Sequence, residues 1–354
     1  MDELERDAAA QSLAPIEIAG PWFEDFHRGL EFDAPAVTIT EGLAAQYQAL
    51  FGDRLRLPLD HHLSRALSGD TAPLAHPLLA INVAVGQSTW ASQRVKANLF
   101  YRGLLLQRPV RLGDTLHTRT SVVGLRQNRV QAGRAATGIV ALEMTTTNQR
   151  GETVLHFWRC PMIPCREPTA DTGHADDVES IGRSAGPGDL QRALPTGWAL
   201  AAASGWRGLR AAGIRRGQVF RIEARDTVTS APELVRISLN MAMAHTDARL
   251  SYLGERLVYG GHTIFMAFAQ VTRALPNLLT ILAWDSCDHT APVIENDRLR
   301  TAFTITDVVA ARGDAGGALL RIHAECFAAR GAATPGTPEA ESKVLDWKFW
   351  AWSL

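Results

Sequence analysis

The sequence has few cysteines and no long apolar run. Its 354 residues include four cysteines, none of them in a C-x-x-C pair. They are too sparse for a disulfide scaffold, so we expect reduced thiols in a cytoplasmic protein. No stretch reaches the roughly 18 apolar residues that a transmembrane helix needs, and the acidic N-terminus lacks the positive charge and apolar run of a secretion signal. We therefore expect no membrane partner and no export.

The sequence also lacks an excess of positive charge. It has 36 Lys and Arg residues against 37 Asp and Glu residues, a formal charge of -1. Because a nucleic-acid-binding protein needs a basic surface, we expect no nucleic-acid partner. The 46% hydrophobic and 21% charged residues exclude a disordered or coiled-coil chain. Nucleotide-binding and serine-hydrolase motifs are missing in any convincing context, so those activities have no support.

One pattern occurs twice along the chain. The phrase Arg-Pro-Val-Arg-Leu-Gly-Asp-Thr-Leu, ending at Leu116, returns as Ala-Pro-Val-Ile-Glu-Asn-Asp-Arg-Leu, ending at Leu299. We expect the aspartates of the two phrases, Asp114 and Asp297, to hydrogen-bond within turns. An ordered repeat of this kind indicates a duplicated domain. We predict an N-terminal domain over 1–165, a linker rich in Gly, Pro, Asp and Ser over 166–200, and a C-terminal domain over 201–354.

Each copy combines a long apolar helix with several strands. The apolar spacing predicts helices over 78–91 and from Gly260 to just before Pro276. Strands are predicted over 94–106, 116–125, 133–148 and 154–162 in the first copy, and over 279–288, 298–309 and 318–328 in the second. This order predicts an α+β fold, in which each antiparallel sheet wraps around its helix and the two units pair through their sheets.

Several motifs resemble the MaoC-like hydratase/dehydratase family, and most of all its mesaconyl-CoA hydratase (β-methylmalyl-CoA dehydratase) branch. Besides the repeated Pro-Val phrase, the resemblance is carried by residues 21–26, 40–53, 256–262 and 344–350. It covers nearly the whole chain. It implies a double hotdog fold, two tandem units that each wrap an antiparallel sheet around a long central helix. It also implies a hydratase that adds or removes water at an enoyl-CoA double bond.

The resemblance assigns catalytic roles in the second copy. The family places an Asp five residues before a His, and Asn240 and His245 have this spacing here, with Asn in place of Asp. His245 is then the acid-base catalyst, because an imidazole titrates near neutral pH. Asn240 does not titrate but can orient a water. The alternatives are a surface histidine beside Asp247 and an ordinary polar residue near a helix end.

The start of the second long helix is the other half of the predicted site. Gly260 and Gly261 stand where a loop becomes a helix, so their N–H groups and the helix dipole can hold the thioester oxygen. We place Gly261 among the catalytic residues and Gly260 among the substrate-binding ones. Tyr259 and His262 flank the glycines and are predicted to line the pocket, with simple packing as the alternative.

The first copy is predicted to hold the substrate rather than to catalyse. Its helix start is Ala-His-Pro, and Pro77 has no N–H to donate to a thioester oxygen. Lys96 and Arg102, on one of its strands, are candidates for contact with the phosphates of coenzyme A. Solvated surface cations are the alternative interpretation.

The sequence thus predicts a carbon–oxygen lyase, a hydratase/dehydratase of a short enoyl-CoA that is branched or dicarboxylic as the mesaconyl branch implies. We expect no metal and no redox cofactor, and coenzyme A only as part of the acyl-CoA substrate. A non-catalytic acyl-CoA or acyl-carrier binding protein remains open, because the usual Asp is absent. So do a thioesterase on the same fold and a further homodimer.

Overall fold

The computed structural model describes residues 15–130, 133–312, 316–331 and 340–354. The strands are β1 (Glu31–Phe32), β2 (Val37–Thr38), β3 (Ala97–Leu106), β4 (Thr115–Gln127), β5 (Thr137–Thr147), β6 (Thr153–Pro164), β7 (Val219–Arg221), β8 (Asp226–Thr227), β9 (Leu278–His289), β10 (Arg298–Ala310), β11 (Ala318–Ala329) and β12 (Glu341–Ser353). The α-helices are α1 (Glu41–Phe51), α2 (Arg56–Leu59), α3 (His61–Ser68), α4 (Pro77–Gln87), α5 (Pro187–Ala193), α6 (Ala231–Ile237) and α7 (Gly260–Ala274).

The strands form one antiparallel sheet that runs through both copies. Its order is β1-β4-β5-β6-β3-β9-β12-β11-β10-β7, with β2 also paired to β4 and β8 to β10. The two copies meet where β3 pairs with β9, for example at Tyr101 and Cys287. The predicted α+β class and the predicted pairing of the two units through their sheets are both confirmed.

Each half of the sheet wraps around one apolar helix. Every residue of α4 is buried, and so is every residue of α7 from Gly261 to Thr272. Helix α4 ends earlier than predicted and continues as a 3₁₀ turn, Ser88–Ser92. The Ser88 and Thr89 hydroxyls donate to the carbonyls of Val85 and Gly86, and such side-chain bonds compete with regular helix.

The repeated phrase folds into the same turn in both copies. The carboxylate of Asp114 accepts a hydrogen bond from the Arg111 N–H at 2.9 Å, and that of Asp297 accepts one from the Ile294 N–H at 3.0 Å. The residue before each aspartate has a positive φ, 94° at Gly113 and 71° at Asn296. The predicted turn function of both aspartates is therefore confirmed.

The predicted linker contains more order than its composition indicates. Helix α5 lies within it, and Leu190 and Ala193 of that helix pack in one buried cluster with Trp350 and Trp352 of β12. This segment therefore covers part of the sheet that faces away from the central helices. No helix in the described part of the chain is both long and apolar enough to span a membrane.

Candidate active site

A cavity of about 940 Å³ lies where the first copy meets the second. One wall comes from β3, β5 and β6 of the first copy, and the other from the start of α7 and the loop that precedes it in the second. Among the predicted site residues, those that line it are Lys96, Asn240, His245, Tyr259 and Gly260. Both parts of the predicted site, the Asn–His pair and the helix start, are therefore brought together at one cavity.

His245 has the hydrogen-bonding pattern of a general base. Its Nδ1 lies 2.8 Å from the Leu257 carbonyl oxygen. Because a carbonyl can only accept, Nδ1 carries the proton, and Nε2 keeps its lone pair. Burial lowers the pKa of His245 from 6.5 to about 4, against a smaller opposing effect of the Leu257 hydrogen bond. The imidazole is therefore neutral at pH 7 and able to accept a proton.

Asn240 can act at this site only as a hydrogen-bond donor. Its side-chain Oδ1 accepts from the Ala242 N–H at 2.9 Å, which fixes the orientation of the amide. The NH₂ group is then left to donate into the cavity that Asn240 lines. Such a group can hold the oxygen of a water but cannot take its proton.

The first copy holds the loop that carries Asn240 and His245. The Met241 N–H donates to the Thr89 hydroxyl at 2.9 Å, and the Met243 N–H donates to the Gln93 carbonyl at 2.9 Å. Thr89 belongs to the 3₁₀ turn after α4, and Gln93 follows that turn. The first copy therefore shapes the Asn–His loop in addition to walling the cavity.

Gly260, rather than Gly261, lines the cavity at the start of α7. A Cβ on Gly261 would lie 2.4 Å from the ring of Tyr259, so this glycine makes room for that ring. The Gly260 N–H comes too early in the helix for an intrahelical acceptor, and the positive end of the helix dipole adds to its pull on an anion. Gly261 does not line the cavity itself, but its N–H lies in the same first turn of the helix, so its contact with the thioester oxygen stays a prediction.

Two other predicted residues lie away from the cavity. His262 is two positions after Gly260, about 200° around the helix, and packs against Phe51 with the ring centroids 5.1 Å apart. Arg102 follows cavity-lining Tyr101 on β3, so it points to the opposite face of the sheet and pairs with Asp288. The prediction that His262 lines the pocket is therefore wrong, and Arg102, which pairs with Asp288, is not among the residues that line this cavity.

Several residues of the cavity wall were not predicted. Tyr101 and Arg159 face it from β3 and β6, Arg129 and Arg134 stand at the hairpin between β4 and β5, and His289 ends β9. Strand alternation could have found Tyr101 and Arg159, since each lies on the strand face that meets the central helices. His289 had no such signal, because its position depends on how the two copies pair.

His289 is a second neutral histidine in the cavity. Among the residues that the structure describes, none hydrogen-bonds to its buried Nε2, and a Cβ on Gly260 would lie 2.4 Å from that atom. Burial, and to a smaller extent the nearby His245, lower the pKa of His289 to about 4. The helix start therefore has one histidine against Gly260 and another, His245, in the loop before it.

The described residues bring one set of potential metal ligands together, and it lies outside this cavity. Ligand atoms of His323, Glu325 and Asp346 lie within 4.8 Å of one another. The Lys343 ammonium already pairs with Glu325 at 3.1 Å and with Asp346 at 2.8 Å. Because the lysine balances these charges, a divalent ion would have to displace it.

The pH dependence of catalysis tests the environment of His245. We expect kcat/KM to stay within about twofold from pH 8 to pH 6, because an imidazole of pKa about 4 remains neutral over that range. An imidazole with the ordinary pKa of 6.5 would already be half protonated at pH 6.5. A decline in kcat/KM centred near pH 6.5 would contradict this description.

Buried His262 is expected to make stability depend on pH. Burial lowers its pKa to about 4 in the folded chain, against an ordinary 6.5. The unfolded chain therefore binds more protons between these values, so stability falls as the pH drops from 6.5 to 4. In His262→Gln, the free energy of unfolding should therefore depend less steeply on pH between pH 7 and pH 5, by a slope that corresponds to about one proton. Urea titration at several pH values measures that slope. The same replacement at exposed His62 should leave the slope unchanged, and equal slopes for both variants would refute the assignment.

Two tandem units, each with a sheet around a central helix and with a cavity at their junction, define a double hotdog protein. The solved structure of RV0216, a conserved hypothetical protein from Mycobacterium tuberculosis with a double hotdog fold, matches with a TM-score of 0.85 and 44% identity, over 96% of this chain and 100% of that one. The structure of a MaoC domain protein from Chloroflexus aurantiacus matches with a TM-score of 0.80 and 26% identity, over 94% of this chain and 97% of that one.

The chain belongs to the MaoC-like family that contains the mesaconyl-CoA hydratases. It is 31% identical to mesaconyl-CoA hydratase of Cereibacter sphaeroides over 94% of this chain and 98% of that protein. It is 32% identical to β-methylmalyl-CoA dehydratase of Chloroflexus aurantiacus over 79% of this chain and 80% of that protein. No family model matches the sequence.

Proposed function

We propose that this protein is a carbon–oxygen lyase that reversibly hydrates the double bond of a short enoyl-CoA, branched or dicarboxylic as in the relatives named above. The observation that carries the proposal is the neutral His245, held through Nδ1 at a cavity that it shares with the donor group of Asn240 and the start of α7. A base, a water-holding donor and an oxyanion site are the groups that this reaction requires.

In the hydration direction, the thioester oxygen lies at the N-terminus of α7, against the Gly260 N–H. Asn240 holds a water by donating to its oxygen, and Nε2 of His245 removes a proton from that water. The water oxygen bonds to the β-carbon, and the electrons of the double bond move onto the thioester oxygen, where the helix dipole stabilises the enolate. The imidazolium then returns a proton to the α-carbon, which completes the addition of one water.

The phosphates of coenzyme A are proposed to meet the cations at the cavity wall. Three of the four cations on that wall, Lys96, Arg129 and Arg134, are proposed for this contact, and none of them has an ion-pair partner within the described ranges. Arg129 and Arg134 are exposed, so they remain hydrated until a phosphate binds. The homodimer raised by the sequence stays a prediction.

The cavity wall favours hydration over thioester hydrolysis. Within the part of the chain that the structure describes, the wall contains no Asp or Glu to activate a water against the thioester carbon. A binding protein would have the same cavity, so turnover is the property that separates it from a hydratase.

The test is to incubate the protein with a panel of enoyl-CoA thioesters that includes mesaconyl-CoA and crotonyl-CoA. Absorbance of the conjugated thioester should fall, and mass spectrometry should find a product heavier by one water. Release of free coenzyme A, followed with a thiol reagent, would instead identify a thioesterase. Binding without turnover on every member of the panel would identify a binding protein.

A further inference from the structure

Arg159 is a buried cation on the cavity wall, and no carboxylate of the described residues pairs with it. It is 3% exposed and lies on β6. Its Nε donates to the Ser88 hydroxyl at 3.0 Å, and its Nη2 donates to the Ser88 carbonyl at 2.9 Å and to the Ser92 hydroxyl at 2.7 Å. All of these acceptors are neutral, and burial lowers the pKa of the guanidinium.

A buried charge of this kind normally has an opposite charge beside it, because desolvation of an ion costs several kcal/mol. The Ser88 carbonyl belongs to the C-terminal end of α4, whose dipole supplies only about half a negative charge. No Asp or Glu in the described chain lines the cavity that Arg159 faces. A ligand bound in the cavity can supply the negative charge.

The free edge of the guanidinium is the one that includes Nη1. This nitrogen has a single long contact, 3.5 Å, to the side-chain oxygen of Asn98. Arg159 lies opposite Tyr101 across β3 and β6, and Tyr101 and Tyr259 both line the cavity, close enough for each phenol to affect the pKa of the other. The centroid of the Tyr259 ring is in turn 5.6 Å from that of His245. A short acyl chain that extends along these two tyrosines would have one end at the catalytic histidine and the other at the guanidinium.

We propose that Arg159 binds a free carboxylate at the far end of the acyl chain and is the residue that selects a dicarboxylic over a monocarboxylic enoyl-CoA. This inference rests on the proposed function for its catalytic readout. A carboxylate bound directly to the β-carbon would lie at the end of the acyl chain, and the N–H groups of Nη1 can donate a charge-assisted hydrogen bond to it.

The competing explanation is structural. Arg159 also ties down the 3₁₀ turn at Ser88–Ser92, which supports the Asn240 loop through Thr89. Loss of that support would lower activity on every substrate alike. Loss of a carboxylate contact would lower activity on dicarboxylic substrates only.

The test therefore uses substrate pairs that differ in a single group. Mesaconyl-CoA is paired with tiglyl-CoA, and fumaryl-CoA with crotonyl-CoA, since a methyl group replaces the carboxylate in the second member of each pair. In Arg159→Gln we expect kcat/KM to fall by about 100-fold or more for the dicarboxylic member and by less than about threefold for its partner. Arg159→Lys should recover part of the loss. Arg102→Gln, on the neighbouring strand but on the opposite face of the sheet, is the matched control and should change neither substrate.

An equal fall for both members of a pair would overturn the proposal and leave Arg159 as a support for the turn. So would a wild-type protein that does not prefer the dicarboxylic member. Failure of the proposed function is separable from these results, because binding of the same pairs can be measured by calorimetry without turnover. Preferential binding of mesaconyl-CoA that is lost in Arg159→Gln would support the carboxylate contact even in a protein that hydrates nothing.

Discussion

Replacement of His245 by Asn is expected to lower kcat/KM for hydration about 1000-fold or more, with little change in the affinity for acyl-CoA. The side-chain amide of Asn can still donate to the Leu257 carbonyl, as Nδ1 does at 2.8 Å in the native chain, so the loop keeps its anchor. An amide does not titrate, so the variant has no atom that takes the proton of the water. Removal of a positioned general base typically costs 100- to 10,000-fold.

The measurement is a comparison of hydration rate and acyl-CoA binding in the same preparation. His27→Asn is the matched control, because His27 is exposed and lies outside the cavity. Its rate should equal that of the unmodified protein. Substantial hydration by His245→Asn would contradict the assignment of His245 as the base. His289, the other neutral histidine in the cavity, would then be the candidate base.

Most of what could be predicted about the fold came from the sequence repeat. The two Pro-Val phrases predict two copies of one unit, and the matched turns at Asp114 and Asp297 confirm that prediction. The long helices were predictable because a helix that is buried on nearly all sides must be mostly apolar. The order within the linker was less visible, since α5 uses only a few apolar residues and packs on tryptophans far away in the sequence.

The site was predictable where local spacing determines it and less so where tertiary packing does. The positions of Asn240 and His245 depend on one loop, and Gly260 depends on the helix that it begins. Arg102 was misplaced because its charge was considered without the alternation of its strand. Strand alternation could place Arg159 on the face that meets the central helices, but the neutral neighbours of its guanidinium are visible only in the folded chain.

The close packing of the two copies leads to the second large expected effect. Gly86→Ala on α4 should destabilise the protein by about 3 kcal/mol or more, because the new Cβ would lie 1.7 Å from the backbone oxygen of Ser238 in the second copy. A backbone atom cannot swing aside as a flexible side chain can. The Ser238 hydroxyl also donates to the Leu234 and Val235 carbonyls, so Ser238 is fixed to the end of α6.

The same clash should also reach the chemistry, since Asn240 lies two residues beyond Ser238. Any folded Gly86→Ala protein should therefore lose kcat more than affinity for acyl-CoA, because binding uses the whole cavity whereas the reaction needs Asn240 in one position. Urea denaturation and the hydration assay measure the two effects. Gly42→Ala is the matched control, being an exposed helical site where the nearest atom to the new Cβ is 3.6 Å away. Unchanged stability in Gly86→Ala would mean that α4 and Ser238 are not in close contact. It would also contradict the inference that the first copy supports the catalytic loop.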